Sequence, residues 1–221
     1  MKVSVVLAHP DARSFNHAIA RTVVETLGRN GHEFAFHDLC KEEFPPVLPA
    51  EEIPRGAALP EIIRRHCAEI AEADGIIIVH PNWWGQPPAI LKGWIDRILR
   101  PGVAYTFAEG DSGEGELIGL LKAREVVVFN TSNTPVEREL TLYGDPLETL
   151  WKNNMFVSCG AKNYCRRMFG IIITSSIEQR TEWLKEVGEI TNEHFPPGDD
   201  RLTMVAAAND NANGPRTKEF L

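Results

Sequence analysis

The sequence predicts a single α/β domain, a three-layer sandwich in which helices cover both faces of a five-stranded parallel sheet. Short, continuous apolar runs recur along the chain, and such runs are typical of parallel strands buried on both faces. Segments with helical periodicity separate these runs, so that strands and helices alternate. A chain of 221 residues with 43% apolar residues is long enough to bury one sizeable core.

The first strand and the first helix have clear boundaries. Residues 3–8 form an apolar, β-branched run, and a proline follows soon after it. Ser14 is a suitable N-cap for a helix over residues 15–29, in which apolar residues recur every four positions. Asn30 and Gly31 then form a typical helix end.

The middle of the chain continues the same alternation. Residues 33–39 predict a second, shorter strand. Residues 41–60 are rich in proline, and we interpret them as an ordered excursion because the pattern resumes on the other side. A helix over residues 61–73 leads to the clearest central strand, residues 75–80. Residues 88–99 predict the next helix, with a proline in its first turn.

The last third of the chain completes the sheet. Residues 125–130 predict a fourth buried strand, and residues 146–153 a helix. Residues 168–174 predict the fifth strand, and residues 178–194 a closing helix. The predicted order is therefore βαβαβαβαβα, which indicates a parallel sheet with helices on both faces.

The composition changes after the closing helix. Residues 206–214 combine alanine, asparagine, aspartate and glycine without any periodicity. Such a segment lacks the apolar residues that a packed element needs. We expect residues 1–195 to form the domain and residues 196–221 to be a disordered or partner-dependent tail.

The charge and the length of the apolar runs exclude several classes of partner. The formal net charge is −8, and no basic stripe is present, so we expect neither nucleic-acid binding nor attachment to an anionic membrane. The apolar runs have the length of strands, which argues against a signal peptide or membrane insertion. We therefore expect a cytoplasmic protein.

The cysteines and histidines do not form a recognisable metal motif. The four cysteines include no C-x-x-C pair, and the seven histidines show no zinc-ligand spacing. We expect no metal site and reduced thiols.

Polar residues follow the first strand at the point where the next helix begins. Ligands of parallel sheets bind beyond the carboxyl ends of the strands, and a helix N-terminus favours an anion there. Arg13, Ser14 and Asn16 add charge and hydrogen-bonding groups, so residues 9–16 predict a phosphate cradle. A capped helix beside an exposed arginine explains the same residues. The glycine-rich motifs of dinucleotide-binding and P-loop proteins are absent from the sequence.

Two adjacent tryptophans follow the third strand. Trp83 and Trp84 lie in the loop of residues 80–88, at the predicted ligand edge. Their flat faces suit a planar ring, and the backbone N–H groups of the loop suit the edge of such a ring. Packing of the loop or a contact between subunits is an equally good explanation from the spacing alone.

These segments together resemble one family. The residues in register are His9, Ser14, Phe15, Asn16, Pro81, Trp84, the run Pro-Ala-Ile-Leu-Lys-Gly-Trp at residues 88–94, and Ala104 with Tyr105. The chain resembles the NAD(P)H quinone oxidoreductases of flavodoxin-like fold, the relatives of DT-diaphorase, over about residues 1–195. The run at residues 88–94 is the most specific part of the match.

The resemblance implies a non-covalently bound flavin, FAD or FMN, and a ping-pong cycle. NAD(P)H reduces the flavin and leaves, and a quinone or a similar acceptor replaces it. Members of the family are usually homodimers with the active site at the interface, so we expect a homodimer. Three groups of cofactor-binding residues follow from the resemblance: Ser14, Phe15 and Asn16 at the phosphate with His9 at its edge; Pro81, Asn82, Trp83 and Trp84 along the isoalloxazine; Thr131, Ser132, Asn133 and Thr134 at its pyrimidine side. Arg180 matches an arginine that contacts adenine in FAD-binding members, although a surface position on its helix explains it as well.

The chain departs from the family where substrates are handled. Glu137 and Tyr143 occupy the positions of a tyrosine and a histidine that assist hydride transfer and quinone reduction. Tyr143 can donate a proton to a reduced flavin or a quinone oxygen, so it is the predicted catalytic residue. Glu137 cannot stack and repels an anionic ring. These departures leave the acceptor, and the choice between NADH and NADPH, open.

Two other functions remain open at this point. A flavoprotein electron carrier binds the same cofactor but takes its electrons from a protein partner. A redox-sensing regulatory subunit binds flavin without turnover of its own, and the acidic chain after residue 195 is compatible with that role.

Overall fold

The computed structural model describes residues 1–108 and 115–198 and consists of a parallel sheet between two layers of helices. The described strands are β1 (Lys2–Leu7), β2 (Glu33–Asp38), β3 (Gly75–Pro81), β4 (Tyr105–Phe107), β5 (Leu117–Gly119), β6 (Glu125–Thr131) and β7 (Asn163–Phe169). The described helices are α1 (Phe15–Arg29), α2 (Glu61–Glu72), α3 (Ala89–Ile98), α4 (Val136–Thr141), α5 (Pro146–Glu148) and α6 (Ile177–His194).

The main sheet has five parallel strands in the order β2-β1-β3-β6-β7. All residues of β3 are buried, because it lies between β1 and β6 and is covered on both faces. Alternate residues of β3 enter different cores: Ile76 and Ile78 face the core under α2 and α3, whereas Ile77 and Val79 face the core under α1 and α6. The predicted five-stranded, three-layer α/β fold is confirmed.

The first two-thirds of the sheet agree closely with the sequence prediction. Helix α1 has the predicted ends, and the Ser14 side chain caps it by accepting a hydrogen bond from the His17 backbone N–H at 3.3 Å. β2, β3 and β6 differ from their predicted bounds by one residue at one end, and β1 differs by one residue at both ends.

The prediction for the fifth strand was wrong by several residues. β7 covers Asn163–Phe169 and not residues 168–174. It lies at the edge of the sheet and carries Arg166 and Arg167, so its sequence is not a continuous apolar run. The apolar run of residues 171–173 follows the strand and belongs to a loop at the ligand edge.

The helical segment after residue 145 is also different from the prediction for residues 146–153. α5 is one turn long and continues as a π-helix over Thr149–Phe156. The wider turn keeps Trp151 and Phe156 fully buried in the core beneath β6. Three elements were not predicted: the short antiparallel pair β4–β5 and the helix α4.

The proline-rich excursion packs directly on α3. The backbone of Pro46 touches Gly93 of α3 so closely that an added Cβ would lie 2.1 Å from the Pro46 carbonyl oxygen. Arg97 of α3 donates through Nε to the Glu52 carboxylate at 3.0 Å, and both side chains are almost fully buried. The excursion is therefore part of the domain, as the sequence predicted.

Contacts of the described chain extend slightly past the predicted end of the domain. The ring Nε2 of His32 lies 2.9 Å from the Pro196 carbonyl oxygen, and the Gly198 N–H donates to the Asn30 carbonyl at 3.3 Å. Residues 199–221 of the predicted tail lie outside the described residues, so that prediction stays a prediction. No helix in the described part of the chain has the length and apolar character needed to cross a membrane.

Two histidines are kept neutral by burial, and each accepts a hydrogen bond from a tryptophan. Trp94 Nε1–H donates to His66 Nδ1, and Trp151 Nε1–H donates to His80 Nε2, each at 3.0 Å. Burial lowers the pKa of His66 to about 3 and that of His80 to about 4. Each tryptophan can only donate, so the ring nitrogen that it faces has to remain an acceptor.

We expect the free energy of unfolding to decrease as the pH is lowered from about 6.5 towards 4. In that range the unfolded chain protonates both histidines whereas the folded chain does not, so unfolding takes up protons. Each ring then contributes a loss of roughly 1.4 kcal/mol per pH unit. Urea unfolding at several pH values, with NMR titration of both rings, measures this loss. Titration of both rings near 6.5 in the folded protein would contradict it.

Candidate functional site

Four loops at the carboxyl ends of the parallel strands enclose a cleft of about 400 Å³. The loops follow β1, β3, β6 and β7, and the first leads into α1. The cleft is lined by His9, Asp11, Arg13, Ser14, Phe15, Asn16, Pro81, Asn82, Trp83, Thr131, Ser132, Asn133, Thr134, Ile172 and Arg180. The structure thus brings together every predicted cofactor-binding residue except Trp84.

The loop after β1 presents a helix N-terminus to the cleft. Ser14 has extended backbone geometry and caps α1, and Asn16 in the first turn is 2% exposed. Arg13 extends into solvent, with its side chain 91% exposed, and its Nε–H donates to the Asp11 carboxylate at 3.3 Å. An anion at this end of α1 therefore meets backbone N–H groups and the Ser14 hydroxyl first.

Two amides in the cleft have a buried acceptor atom without a partner among the described residues. Asn16 donates through Nδ2 to Thr131 Oγ1 at 2.9 Å, and Asn82 donates through Nδ2 to the Glu139 carboxylate at 2.9 Å. Among the described residues, neither Asn16 Oδ1 nor Asn82 Oδ1 has a hydrogen-bond partner. Burial of an unpaired acceptor is costly, so these oxygens fit a ligand that supplies N–H or O–H donors. A flavin carries both, as a ring N–H and ribityl hydroxyls.

Glu139 joins the loops after β3 and β6. Its Oε1 accepts from Asn82 Nδ2 at 2.9 Å and from Ser132 Oγ at 3.3 Å. The Asn82 backbone N–H also donates to the Thr131 carbonyl, which extends the pairing of β3 with β6. Glu139 is 4% exposed, so a buried carboxylate fixes two of the loops that form the cleft.

The two acidic residues of α4 have different surroundings. Glu137 is exposed and does not line this cleft, whereas Glu139, which was not predicted, is buried and contacts two of its loops. The short helix α4 has no recognisable periodicity in the sequence. The two charged positions could not be distinguished without knowing which face of α4 packs on the loops.

The tryptophan loop is a tight turn that leaves one ring in solvent. Trp83 and Gln86 exchange backbone hydrogen bonds at 3.0 and 3.1 Å, and the residues between them have positive φ. Trp84 at φ 59° is in the left-handed region, which is rare for a bulky residue, and it is fully exposed. Backbone strain of this kind is typical of functional sites.

A second cleft of about 390 Å³ adjoins the first. Its lining consists of Asn82, Trp84, Gly85, Thr134, Glu139, Tyr143 and Pro146. Asn82 and Thr134 line both clefts, so the two spaces share a wall. Tyr143 and Trp84 are placed together here, which combines the predicted catalytic hydroxyl with an exposed aromatic face.

The segment that carries Tyr143 is fixed from below by Arg166. Asp145 has a left-handed backbone at φ 46°, and its N–H donates to the Glu139 carbonyl at 2.9 Å. Arg166 of β7 forms an ion pair with Asp145 and donates through Nε to Glu148 at 2.9 Å. The sequence prediction did not place Arg166 at the site, because it put β7 five residues too late.

Arg180 lines the cleft, but its guanidinium group donates hydrogen bonds to the loop after β7. Its Nη2–H donates to the Ile172 carbonyl at 2.9 Å and its Nε–H to Ser175 Oγ at 2.8 Å. The guanidinium carbon lies 6.0 Å from the centre of the Phe15 ring. Arg180 therefore supports the loop, and its contact with adenine stays a prediction.

One cluster away from the cleft has the spacing of metal ligands. His37, Glu42 and His66 bring one ligand atom each within 4.8 Å of one another. His66 Nδ1 accepts the Trp94 N–H, so a neutral His66 ring carries its proton on Nε2, which faces Glu42 at 3.3 Å. A metal bound at Nε2 would displace the proton from Nε2 to Nδ1. Two N–H groups, that of Nδ1 and that of Trp94, would then face each other. The chemistry of the donor set therefore argues against a metal here.

Another cleft, of about 380 Å³, lies at the opposite edge of the sheet. It is formed by the first residues of β1 and β2 and by the end of α2, and it is lined by Lys2, Val3, Ser4, Glu33, Phe34, Ala35, Ala68, Glu69, Glu72 and Ala73. Parallel sheets bind their ligands at the carboxyl ends of the strands. This cleft is therefore a poor candidate for the functional site.

Comparisons with known proteins agree with the fold. A family model described as flavodoxin-like fold matches residues 1–186. An uncharacterized NAD(P)H oxidoreductase of Haemophilus influenzae is 36% identical over 172 residues, which cover 76% of this chain and 83% of that protein. A ribosyldihydronicotinamide dehydrogenase [quinone] of Mus musculus is 27% identical and covers 87% of this chain and 93% of its own.

A solved structure shows the same architecture. The NAD(P)H:quinone oxidoreductase from Methanothermobacter marburgensis superposes with a TM-score of 0.75 and 26% identity, over 86% of this chain and 95% of that one. Two further curated relatives are matched over only 45% and 54% of their own lengths.

Proposed function

The chain belongs to the family of flavodoxin-like fold, and from that premise we propose that it is a flavin-dependent oxidoreductase. In this proposal it passes electrons from NAD(P)H to a quinone or a similar acceptor. The relatives named as NAD(P)H oxidoreductase and as dehydrogenase [quinone] support both the electron donor and the class of acceptor.

One observation carries the proposal. The cleft at the carboxyl ends of the strands contains two buried acceptors, Asn16 Oδ1 and Asn82 Oδ1, that lack a partner among the described residues. A helix N-terminus with a hydroxyl lies at the same cleft, beside Asn16. A ligand that fits both features has an anionic group at one end and N–H or O–H donors further along. A flavin nucleotide has this pattern.

The residues divide into those that bind the flavin nucleotide and those that handle its partners. When bound, the flavin supplies the hydride acceptor and the electrons for the second substrate. Ser14, Phe15 and Asn16, with His9 beside them, hold the phosphate end. Pro81, Asn82, Trp83 and the loop of residues 131–134 orient the ring.

The second cleft suits the alternating substrates. Trp84 offers a flat apolar face, and Tyr143 offers a hydroxyl that donates a proton to a quinone oxygen. Because NAD(P)H and the quinone would use the same space in turn, the arrangement favours a ping-pong cycle. Steady-state rates measured at several concentrations of both substrates should give parallel double-reciprocal lines, and intersecting lines would contradict this cycle.

The identity of the flavin is decided by reconstitution. Apoprotein titrated with FAD, FMN and riboflavin should bind at least one nucleotide more tightly than riboflavin, because riboflavin lacks the phosphate that meets α1. FAD affinity well above FMN affinity would support an adenine contact near Arg180. Equal binding of all three flavins would remove the phosphate site from the proposal.

We also propose a homodimer. Trp84 and Tyr143 line the second cleft and are highly exposed, and Leu140 and Leu142, which are neighbours of the lining residues in sequence, are exposed as well. Large exposed apolar patches mark interaction sites, and a second copy of the chain would cover this one. Sedimentation equilibrium should give twice the chain mass at micromolar concentration. A monomer under these conditions would contradict the dimer.

Trp84→Asn should increase stability and reduce activity. Asparagine tolerates the left-handed backbone that tryptophan adopts at a cost of roughly 1 kcal/mol, and within one chain the exposed ring loses no packing. Loss of the aromatic face should lower kcat/KM for the quinone by up to about tenfold. Urea unfolding and steady-state rates measure the two effects. A destabilised variant with unchanged kcat/KM would contradict both.

A further inference from the structure

A line of three hydrogen-bonding side chains extends from the cleft to the end of β2. Ser14 Oγ lies 2.9 Å from His17 Nδ1, and His17 Nε2 lies 3.0 Å from the Asp38 carboxylate. The side chains of His17 and Asp38 are 14% and 13% exposed. None of the sequence motifs assigned a role to His17 or Asp38.

The positions of the protons follow from the chemistry of the groups. A carboxylate only accepts, so the hydrogen bond to Asp38 places a proton on His17 Nε2. In a neutral ring Nδ1 is then an acceptor, and the hydroxyl proton of Ser14 points to it. Ser14 has one proton to donate, so in this state its hydroxyl has none for the cleft.

Binding of an anion changes this arrangement. The oxygens of a phosphate accept hydrogen bonds, and they need the Ser14 proton in order to bond to its hydroxyl. The hydroxyl can turn to the phosphate if His17 Nδ1 carries a proton and donates to Ser14 Oγ. We propose that His17 is a positioning residue that couples the binding of the cofactor's phosphate at Ser14 to the uptake of one proton. This proposal rests on the proposed function.

A second observation shows that a ligand is expected at this helix end. Asn16, two residues after Ser14, is 2% exposed, lines the same cleft and has an unpartnered Oδ1 among the described residues. An acceptor at this place suits a hydroxyl of the ligand next to its phosphate, and the helix N-terminus suits the phosphate.

Several charged or titratable groups surround His17. The Asp38 carboxylate faces His17 Nε2 and also accepts the Lys41 backbone N–H at 3.2 Å. The ring of His9 lies 6.3 Å from that of His17, and burial lowers the pKa of His9, as does charge on His17. Burial and Asp38 raise the pKa of the Cys40 thiol. Arg13 and Asp11 face each other on the exposed side of the loop.

The sign of the pH dependence follows by linkage. The complex holds one more proton than the free protein, so the Kd of the nucleotide should increase with pH. The limit is tenfold per pH unit for one proton. Riboflavin, which lacks the phosphate, should bind with a Kd that does not change in this way.

Calorimetry of the apoprotein tests the proposal without any turnover. FAD is the primary ligand, because its pyrophosphate does not titrate near neutral pH, whereas the phosphate of FMN does. The binding enthalpy measured in two buffers of different ionisation enthalpy gives the number of protons taken up. We expect an uptake of up to one proton for FAD and of none for riboflavin. If only FMN binds, the proton uptake due to His17 is the uptake of the wild type minus the uptake of His17→Asn.

His17→Asn is the matched variant. Its side-chain amide nitrogen takes the place of Nδ1 and donates to Ser14 at any pH, so the FAD complex should form without proton uptake. Asp38→Asn is the second variant, because it keeps an acceptor for Nε2 but removes the charge, and it should reduce the uptake at neutral pH.

The outcomes separate the two proposals. Binding of a flavin nucleotide without proton uptake, or with equal uptake in wild type and His17→Asn, overturns the role of His17 and leaves the proposed function intact. Failure to bind any flavin overturns both. Uptake in the wild type that disappears in His17→Asn supports the coupling.

Discussion

Glu139→Ala should bind flavin roughly 10- to 100-fold more weakly than the wild type. The buried carboxylate accepts from Asn82 and Ser132 and thereby joins two of the loops that form the cleft. Its removal leaves the Asn82 amide unpaired inside the protein, at a cost of roughly 1–3 kcal/mol. Fluorescence titration of the apoprotein measures the change in affinity.

Two further substitutions distinguish the hydrogen-bonding role of Glu139 from the effect of its negative charge. Glu139→Gln keeps an accepting oxygen but removes the negative charge, so the affinity should stay near that of the wild type. The midpoint potential of the bound flavin should rise, because less negative charge opposes its reduction. Glu137→Gln removes an exposed charge from the same helix and should change neither quantity. Unaltered binding in Glu139→Ala would contradict the role assigned to Glu139.

Gly93→Ala should lower the free energy of unfolding by about 3 kcal/mol, the upper part of the usual range for overpacking. The added Cβ would lie 2.1 Å from the Pro46 carbonyl oxygen and 2.5 Å from its Cα. Both contacts are with backbone, so either α3 or the proline-rich excursion has to move. Urea unfolding measures the loss, and the far-UV spectrum reports whether the fold is kept.

Gly28→Ala is the matched control for that substitution. Gly28 also lies in a helix, α1, and a Cβ there meets nothing within 4 Å. The change should therefore stabilise the protein by roughly 0.5–1 kcal/mol through helix propensity. Equal effects of the two substitutions would show that the approach of Pro46 to α3 does not determine stability.

Much of the sheet could be predicted because buried parallel strands have a simple sequence pattern. β3 and β6 each contain a continuous run of apolar residues, since both of their faces are covered. β7 could not be placed in the same way. It is an edge strand, and Arg166 is buried there only because Asp145 and Glu148 lie opposite it. Those partners are distant in sequence, so the pattern of β7 alone does not reveal them.

The loops that form the site could be predicted from the sequence, but the residues that hold those loops and their side chains in place could not. The positions of polar residues after the strands, together with the family resemblance, identified residues 9–16, 80–88 and 131–134, and the structure brings residues from all three segments together at one cleft. Glu139 and His17 act through other residues and have no motif. Their roles depend on which face of a short helix or which ring nitrogen meets a neighbour, and only the three-dimensional structure specifies that.

Anaerobic addition of NADPH, and separately of NADH, to the flavin-loaded protein tests the central claim most directly. The visible flavin absorbance should bleach rapidly with at least one of them, and a quinone should then restore it. Persistence of the flavin absorbance with both nucleotides would contradict the account, and would favour an electron carrier or a redox-sensing subunit.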